Sequence, residues 1–289
     1  MSTTVSKGAK CVIDAEGAQL VGRFFAAQGE TVANLVLHGA TGVPQRFYMP
    51  FARWASARGF GVLIYDYRDF GESAHRHVRE SHATLADWAV RDQSAAEQKL
   101  AELAPEGPLW VLGHSLGGLS FTLYPHDPRV ERITTVGAGL GHFTDHPLSY
   151  LPSALAFWYL LGPIGTALCG YLPGKTLLLG ADLPAGVYWQ WRRWCTDRRF
   201  FRVDVGKTLP EPDFGAEGPA LRMLSMTDDL LAPPVVVTRY ADAFPKGRVE
   251  HVMLEPQAFG LSSLGHLEVF SERNAAAWPT ILNLCSSNP

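Results

Sequence analysis

The sequence is poor in cysteine and has no cluster of basic residues. Its four cysteines, Cys11, Cys169, Cys195 and Cys285, are widely scattered and form no CxxC pair. This pattern favours free thiols in a reducing compartment over a disulfide framework. The 25 lysines and arginines are balanced by 28 acidic residues, which gives a net charge of −3 with no basic block. This balance argues against nucleic acid as a partner.

A secretory signal is also missing, because the opening MSTTVSKGAK contains no apolar run. Together with the cysteine usage, this absence predicts a cytoplasmic protein. Internal repeats and low-complexity tracts are absent as well. Apolar residues, in contrast, are plentiful: 47% of the 289 residues are hydrophobic. A chain of this length and composition can bury a substantial core in one large domain with an insertion.

Short apolar runs alternate with helical patterns along much of the chain. The stretch CVIDAEGAQLVGRFF predicts a hairpin with its turn near Glu16-Gly17. Further strands are predicted at residues 33–39, 60–68, 108–115, 130–139, 219–226 and 248–255, and helices at 46–59 and 83–103. Almost wholly apolar strands separated by helices indicate a parallel sheet that is covered on both faces.

The alternation is interrupted between residues 142 and 205, where aromatic residues and glycine-proline breaks are frequent. We interpret residues 142–205 as an inserted cap, with 1–141 and 206–289 as the two parts of the core. Residues 148–174 contain no charged side chain and are long enough to cross a bilayer. However, glycines and prolines divide this stretch, and a single crossing would separate strands predicted to share one sheet. We therefore expect an apolar lid that touches lipid surfaces.

The stretch LWVLGHSLGGLSF, residues 109–121, contains the clearest chemical motif. Residues 113–117, GHSLG, fill the pattern G-x-S-x-G between a predicted strand and the start of a predicted helix. A serine raised on such a sharp turn needs small neighbours, because the sheet and the helix crowd it. The turn exposes the hydroxyl of Ser115. The same glycines would also suit a purely structural turn, so a catalytic role for Ser115 depends on its partners.

A serine hydroxyl is a weak nucleophile and needs a base that is itself oriented by a carboxylate. Both residue types follow Ser115 at the ends of predicted strands. Asp228 and Asp229 come directly after PALRMLSM, and His266 lies in the loop after RVEHVMLE. In a parallel sheet these strand ends meet at one edge. We therefore predict a catalytic triad of Ser115, His266 and one of the two aspartates.

The candidate residues follow one another in the order serine, aspartate, histidine, which is the order found in the α/β-hydrolase superfamily. The sequence resembles this superfamily over nearly its whole length. LVLHGATG, residues 35–42, is similar to the family's oxyanion-loop strand. YDYRDFGES, residues 65–73, is similar to its D-x-R-G-x-G-x-S turn, with Asp69 where a glycine is usual. The resemblance implies an α/β fold with a mostly parallel central sheet, flanking helices and an inserted helical cap. Among members, the chain looks closest to poorly characterised serine hydrolases of bacterial type.

The resemblance leaves two choices for the acid of the triad. In the family the acid usually follows a glycine by three residues, and Ser225 takes the place of that glycine, which selects Asp228. The common D-x-x-x-P spacing to Pro233 instead selects Asp229. We favour Asp228 and keep Asp229 as the alternative.

The resemblance also implies an oxyanion hole made of two backbone N–H groups. One is expected from Leu116, directly after the nucleophile, and the other from Ala40, with Thr41 as the alternative. His38 is expected to fix this loop, and His114 to point along the turn. Among the remaining histidines, His251 lies in a predicted strand and is expected to pack there. His142 and His146 could sit one turn apart, but nothing resembles HExxH, so neither metal nor cofactor is predicted.

The segment LPAGVYWQWRRWCTDRRFF, residues 183–201, fits two interpretations. It could be a helix with its aromatic side on the core and its arginines in water. Alternatively, Trp158, Tyr188, Trp191 and Arg192 form a wall that grips an apolar group and an anionic group of the substrate.

These features predict a serine hydrolase that cleaves carboxylic esters or thioesters of apolar acyl groups through an acyl-enzyme. An amidase or aminopeptidase, a C–C bond hydrolase and an acyltransferase could use the same triad. A non-catalytic receptor built on this fold would have no need of a complete triad.

Overall fold

The structure is a computed structural model that describes residues 7–177 and 180–284. The predictions for Cys285 and for the first six residues lie outside this range. The described part forms strands β1 (Ala9–Ala15), β2 (Ala18–Phe25), β3 (Ala33–His38), β4 (Phe60–Tyr65), β5 (Leu109–His114), β6 (Val130–Val136), β7 (Tyr171–Leu172), β8 (Leu183–Pro184), β9 (Ala220–Met226) and β10 (Val249–Leu254). Its α-helices are α1 (Met49–Ser56), α2 (Gln93–Leu103), α3 (Leu116–Leu119), α4 (Leu151–Ala156), α5 (Gly162–Cys169), α6 (Ala185–Thr196), α7 (Pro234–Ala241) and α8 (Trp278–Ile281).

Eight of these strands form one sheet in the order β1-β2-β4-β3-β5-β6-β9-β10. The pairs β1–β2 and β2–β4 are antiparallel, and all other neighbours are parallel. The predicted hairpin turn falls at Glu16-Gly17, between β1 and β2. The helix predicted at 83–103 begins at Leu85 and contains a π-helical turn, Asp87–Asp92, before α2. Because β3, β5, β6, β9 and β10 run parallel, the loops at their carboxyl ends meet along one edge of the sheet.

The sheet is buried on both faces, as the apolar strands predict. Every residue of β3 and β4 is buried. Side chains alternate between the two cores: Leu35 and Leu37 belong to the core that contains α1 and α8, whereas Val36 belongs to the core that contains α2 and residues of the cap. On the α1 side, the Phe51 ring lies edge-on to Phe270 and Trp278, with centroids 5.2 and 5.4 Å apart. Each such pair adds about 1 kcal/mol beyond area burial.

Between β6 and β9 the chain forms helices α4, α5 and α6 and the β7–β8 hairpin, within the segment predicted as a cap. The bounds of the cap, residues 142–205, stay a prediction. The continuous helical segment Leu151–Cys169 is apolar and long enough to cross a membrane, and only 22% of it is buried. However, β6 and β9 on either side of it are hydrogen-bonded neighbours, for example at Thr134 and Arg222. A single crossing would separate these paired strands, which argues against a membrane span, and Ala154 and Trp158 of the segment are buried against the protein.

Candidate active site

Ser115 is the single residue between the end of β5 and the start of α3. Its backbone has φ +53° and ψ −115°, a region that side chains rarely adopt. Such a conformation costs on the order of 1–3 kcal/mol and persists only when neighbours hold it. Here the Ser115 N–H donates to the Val136 carbonyl at 2.9 Å, and the Ser115 carbonyl accepts from the Gly118 N–H at 2.9 Å. The turn therefore raises the serine side chain out of the sheet, as the G-x-S-x-G motif predicts.

The glycines around Ser115 allow three elements to approach closely. A Cβ on Gly117 would lie 2.1 Å from the carbonyl oxygen of His38 in β3, and one on Gly113 would lie 2.4 Å from the Gly117 carbonyl oxygen. Neither position accepts a side chain without a shift of the backbone. These glycines bring the end of β3 against the turn, so the loop after β3 lies beside Ser115.

His266 is paired with Asp229. Its Nδ1 lies 2.7 Å from Asp229 Oδ2, and the other carboxylate oxygen, Oδ1, accepts from the N–H groups of Leu231 and Ala232 at 2.8 Å each. Burial by itself raises the pKa of Asp229, but the charge of His266 and these hydrogen bonds together lower that pKa below its ordinary value. An ionised Asp229 accepts the Nδ1–H of His266, which leaves Nε2 free to take a proton.

The structure corrects the choice of Asp228. Its carboxylate accepts from the N–H of Leu264 at 2.8 Å and from the N–H of Gly265 at 3.1 Å, and it does not contact the imidazole. β9 ends at Met226, where the sequence predicts, but the carboxylate of Asp228 points to the loop backbone and that of Asp229 faces His266. The D-x-x-x-P spacing, which selected Asp229, matches this geometry. Asp228 instead holds the backbone of the loop that carries His266.

Gly137, at the end of β6, makes room for this pair. Its φ is +59°, and a Cβ there would lie 3.1 Å from His266 Nδ1 and 3.2 Å from Asp229 Oδ2. Any side chain would push against both partners. The sequence shows only a glycine after a strand at this position, which carries no signal of such a role.

Ser115 and His266 line the same cavity. Within the described residues, Ser115 Oγ has no hydrogen-bond partner, so no bond joins it to His266 in this structure. Catalytic hydrogen bonds are often long without substrate and tighten when it binds. The structure thus brings together three of the predicted residues, Ser115, His266 and Asp229, on loops after β5, β10 and β9.

The expected oxyanion donors differ in their surroundings. The Ala40 N–H donates to the Tyr48 hydroxyl at 2.8 Å and is therefore occupied, which corrects the expectation for Ala40. Thr41, the alternative, lines the cavity together with Ser115 and Leu116. Neither the Thr41 N–H nor the Leu116 N–H donates to another group in the described part of the chain. Both N–H groups therefore stay candidates for the donors to an oxyanion.

Two other histidines near the turn are buried and neutral. Burial, followed by the charge of a neighbouring histidine, lowers the pKa of His38 and of His114 to about 3. His38 Nδ1 lies 2.8 Å from the Tyr65 hydroxyl, which fits its expected role of fixing the loop after β3. His251 lies in β10 with Nε2 3.0 Å from Ser225 Oγ. None of these three replaces His266.

A cavity of about 410 Å³ lies between the strand ends and the cap. Ser115, Thr41, Leu116 and His266 line its floor, and the cap supplies most of its walls. The apolar and aromatic cap residues that face it are Phe143, Tyr150, Ala154, Ala156, Phe157, Trp158, Leu161, Leu177, Trp191, Trp194 and Phe200. Such a cavity favours an apolar ligand fragment next to the serine.

Two of the predicted substrate contacts lie in this wall and two do not. Trp158 and Trp191 line the cavity, whereas Tyr188 and Arg192 do not. Tyr188 is fully buried behind the wall. The Arg192 Nε donates to the Trp158 carbonyl at 2.6 Å, and its guanidinium lies over the Tyr159 ring. Because no arginine or lysine is among the described residues that line the cavity, the expected recognition of an anionic group by Arg192 is corrected.

A polar group lies at one side of the cavity but does not resemble a metal site. His142, Asp145 and His146 line it. The Asp145 carboxylate is paired with Arg239 at 2.7 Å, and His146 Nδ1 donates to the Leu230 carbonyl at 2.9 Å. Among the described residues, no group of three or more histidine, cysteine or acidic side chains could hold a metal ion.

Part of this chain matches the model of a known protein family. Residues 31–142 match the family model described as serine aminopeptidase, S33. This match covers β3, the turn that carries Ser115 and β6, but neither Asp229 nor His266. No curated protein matches the sequence.

Several solved structures share the fold over nearly the whole chain. The DcsB complex with its substrate analogue has a TM-score of 0.62 at 17% identity, covering 96% of this chain and 98% of that one. A soluble variant of monoglyceride lipase from Saccharomyces cerevisiae, bound to a substrate analogue, has a TM-score of 0.62 at 14% identity, covering 99% and 98%. The enol-lactonase from Burkholderia xenovorans LB400 has a TM-score of 0.56 at 18% identity, covering 96% and 100%. At these identities the likeness establishes the fold.

Proposed function

We propose that this chain, which has the α/β-hydrolase fold, is a serine hydrolase that cleaves carboxylic esters or thioesters with an apolar acyl group. One observation carries the proposal. The strained Ser115 and the Asp229-paired His266 line a single cavity whose cap wall is mostly apolar. A strained turn lowers the stability of the fold. A catalytic role for Ser115, supported by the buried histidine–aspartate pair beside it, explains why the strain is retained.

In the proposed acylation step, His266 Nε2 takes the proton of the Ser115 hydroxyl as Oγ attacks the acyl carbonyl carbon. The carbonyl oxygen gains the negative charge and accepts hydrogen bonds from the N–H groups of Leu116 and Thr41. Asp229 keeps the Nδ1 proton of His266 in place and stabilises the imidazolium. When the tetrahedral intermediate collapses, His266 gives its proton to the leaving alcohol or thiol, and the acyl group stays on Oγ.

Deacylation repeats the same steps with water. His266 Nε2 takes a proton from the water as its oxygen attacks the acyl carbon, and the same two N–H groups hold the oxyanion. Collapse returns the proton to Ser115 Oγ and releases the carboxylic acid. The apolar walls keep other water from the acyl group and orient it over Ser115.

The family model favours one other activity, cleavage of a peptide from its amino terminus. An aminopeptidase needs an acceptor for the free α-ammonium group of its substrate. Asp145 is the carboxylate among the described residues that line the cavity, and Arg239 is already paired with it. The charge of the site therefore supports an ester more than an aminopeptide.

We also propose that the outer face of the cap contacts a lipid surface. Leu155, Tyr159, Leu160, Ile164 and Leu168 of the segment Leu151–Cys169 are each at least 41% exposed. The inner face of the same segment lines the cavity, so a lipid-dissolved ester would meet the lid first. Exposed apolar helix surface of this kind binds the boundary between headgroups and acyl chains.

The catalytic proposal is tested with p-nitrophenyl esters of two to twelve acyl carbons. We expect hydrolysis by the wild-type protein, with kcat/KM rising as the acyl chain lengthens until the cavity is filled. Ser115→Ala should lower kcat by at least about a thousand-fold, because the nucleophile is lost. Ser56→Ala is the matched control, since this buried serine only donates to the Ala26 carbonyl. Equal rates for Ser115→Ala and wild type would contradict the proposal.

A further inference from the structure

A chain of hydrogen bonds connects the loop after β3 to the loop that carries His266. The Ala40 N–H donates to the Tyr48 hydroxyl at 2.8 Å. The same hydroxyl lies 2.8 Å from His114 Nδ1, and His114 Nε2 lies 2.9 Å from the carbonyl oxygen of His266. All four residues are buried, so water does not compete for these bonds.

The chemistry of the end groups fixes every proton in this chain. A backbone N–H can only donate and a carbonyl oxygen can only accept, so His114 carries its proton on Nε2. Burial keeps the pKa of His114 near 3, so its Nδ1 is unprotonated and accepts. The Tyr48 hydroxyl therefore accepts from Ala40 and donates to His114. Each group has its partner, and the sequence of donors runs in one direction from Ala40 to His266.

We propose that Tyr48 is a positioning residue, which holds His266 and the oxyanion loop in a fixed relation to Ser115. His114, directly before the nucleophile, is the link between the two loops. The inference rests on the proposed hydrolase function. It also assigns the second oxyanion donor, because Tyr48 occupies the Ala40 N–H and leaves the Thr41 N–H for the substrate oxygen.

The loop after β3 is also anchored by hydrogen bonds that do not involve Tyr48. The Tyr65 hydroxyl bonds to His38, and the Tyr67 hydroxyl donates to the Gly39 carbonyl at 2.8 Å. Neither of these bonds leads to His266. The particular contribution of Tyr48 is therefore the connection between the loops and not the anchoring of one of them.

Removal of the Tyr48 hydroxyl leaves the Ala40 N–H and His114 Nδ1 without partners while the ring stays packed against Phe47 and Phe270. The substrate-binding walls are unchanged, because Tyr48 does not line the cavity. A displacement of catalytic groups by a fraction of an ångström to 1 Å lowers the rate of the chemical step by up to about a hundred-fold. We therefore expect Tyr48→Phe to lower kcat ten- to hundred-fold and to change KM by less than about three-fold.

The experiment measures kcat and KM for p-nitrophenyl butyrate and the inhibition constant of a trifluoromethyl ketone, whose tetrahedral adduct needs both loops. For Tyr48→Phe, the inhibitor affinity should fall in proportion to kcat/KM. Tyr240→Phe is the matched control. It removes a buried tyrosine hydroxyl that donates to the Leu119 carbonyl at 2.8 Å, outside this chain of bonds. It should lower the melting temperature by a similar amount and leave kcat unchanged.

A second variant keeps the proposal open to test if Tyr48→Phe folds poorly. His114→Asn removes the same connection, so the double variant Tyr48→Phe/His114→Asn should be no slower than the slower single variant. Losses of kcat that multiply in the double variant overturn the connection. A Tyr48→Phe protein with wild-type kcat overturns the positioning role. If the wild-type protein itself does not turn over, the proposed function has failed instead, and the two failures are thus distinguished.

Discussion

At the scale of single residues, the site depends on how three side chains share protons. The carboxylate of Asp229 is ionised because His266 and two backbone N–H groups lower its pKa. It therefore accepts from His266 Nδ1, and in the proposed reaction Nε2 takes the proton of Ser115. Asp228 is adjacent in sequence but bonds to the backbone of the histidine loop. Two neighbouring aspartates thus have different roles because their carboxylates point to different partners.

This division predicts unequal effects of two matched substitutions. Asp229→Asn preserves the shape but presents an amide that favours the wrong tautomer of His266, so kcat should fall by roughly a thousand- to ten-thousand-fold. Asp228→Asn keeps one oxygen that accepts from the Leu264 or Gly265 N–H, and kcat should fall by less than about ten-fold. Steady-state rates on one p-nitrophenyl ester decide between them. A larger loss in Asp228→Asn contradicts the assignment.

At the scale of elements, the cap is a helical segment with two apolar faces. Phe157, Trp158 and Leu161 face the cavity, whereas Leu160 and Leu168 face solvent with 54% and 78% exposure. Cations stand against this segment: the Arg79 Nε donates to the Cys169 carbonyl at 2.7 Å, and Arg192 lies over Tyr159. Neither guanidinium has a carboxylate partner in the described part of the chain. Apolar side chains beside unpaired arginines suit an anionic lipid surface.

The cap predicts binding to vesicles of phosphatidylcholine with one third phosphatidylglycerol. Leu160→Ser/Leu168→Ser should weaken this binding at least about ten-fold, because each exposed leucine contributes on the order of 1 kcal/mol in the bilayer interface. Val12→Ser is the control, since Val12 is 49% exposed on β1 at the edge of the sheet.

Sedimentation with vesicles measures the binding, and the hydrolysis of a soluble p-nitrophenyl ester should be the same in all three proteins. Unchanged binding in the cap variant argues against lipid contact. A concentration-dependent dimer of the wild type that the cap variant lacks would identify a second copy of the chain as the occupant.

At the scale of the whole molecule, the sheet was predictable and the contacts at its edge were only partly so. The strands could be located because buried parallel strands are continuous apolar runs between turn residues. Ser115 and His266 could be placed because glycine-rich turns mark strand ends. The choice of Asp229 depended on which of the two adjacent carboxylates points to His266, which a count of residues does not determine. The hydrogen bond from the Ala40 N–H to Tyr48 depends on tertiary packing, so local sequence patterns do not predict it.

The same limit explains the corrections in the cap. The composition of residues 183–201 predicts aromatic side chains near a substrate, and Trp191 does line the cavity. The sequence could not say which face of α6 turns inward. Tyr188 and Arg192 lie on a face of α6 that does not line the cavity, and they contact residues 157–159 instead. Periodicity identifies a helical face, but only packing shows what that face meets.

The mass of a covalent adduct tests directly whether Ser115 is the nucleophile. The protein is treated with a fluorophosphonate, which reacts with serines activated by a paired histidine, and the modified peptide is identified by mass spectrometry. We expect a single adduct on Ser115 in the wild type, a slower reaction in Asp229→Asn and no adduct in Ser115→Ala. An unmodified wild-type protein, or an adduct that persists in Ser115→Ala, would contradict the account.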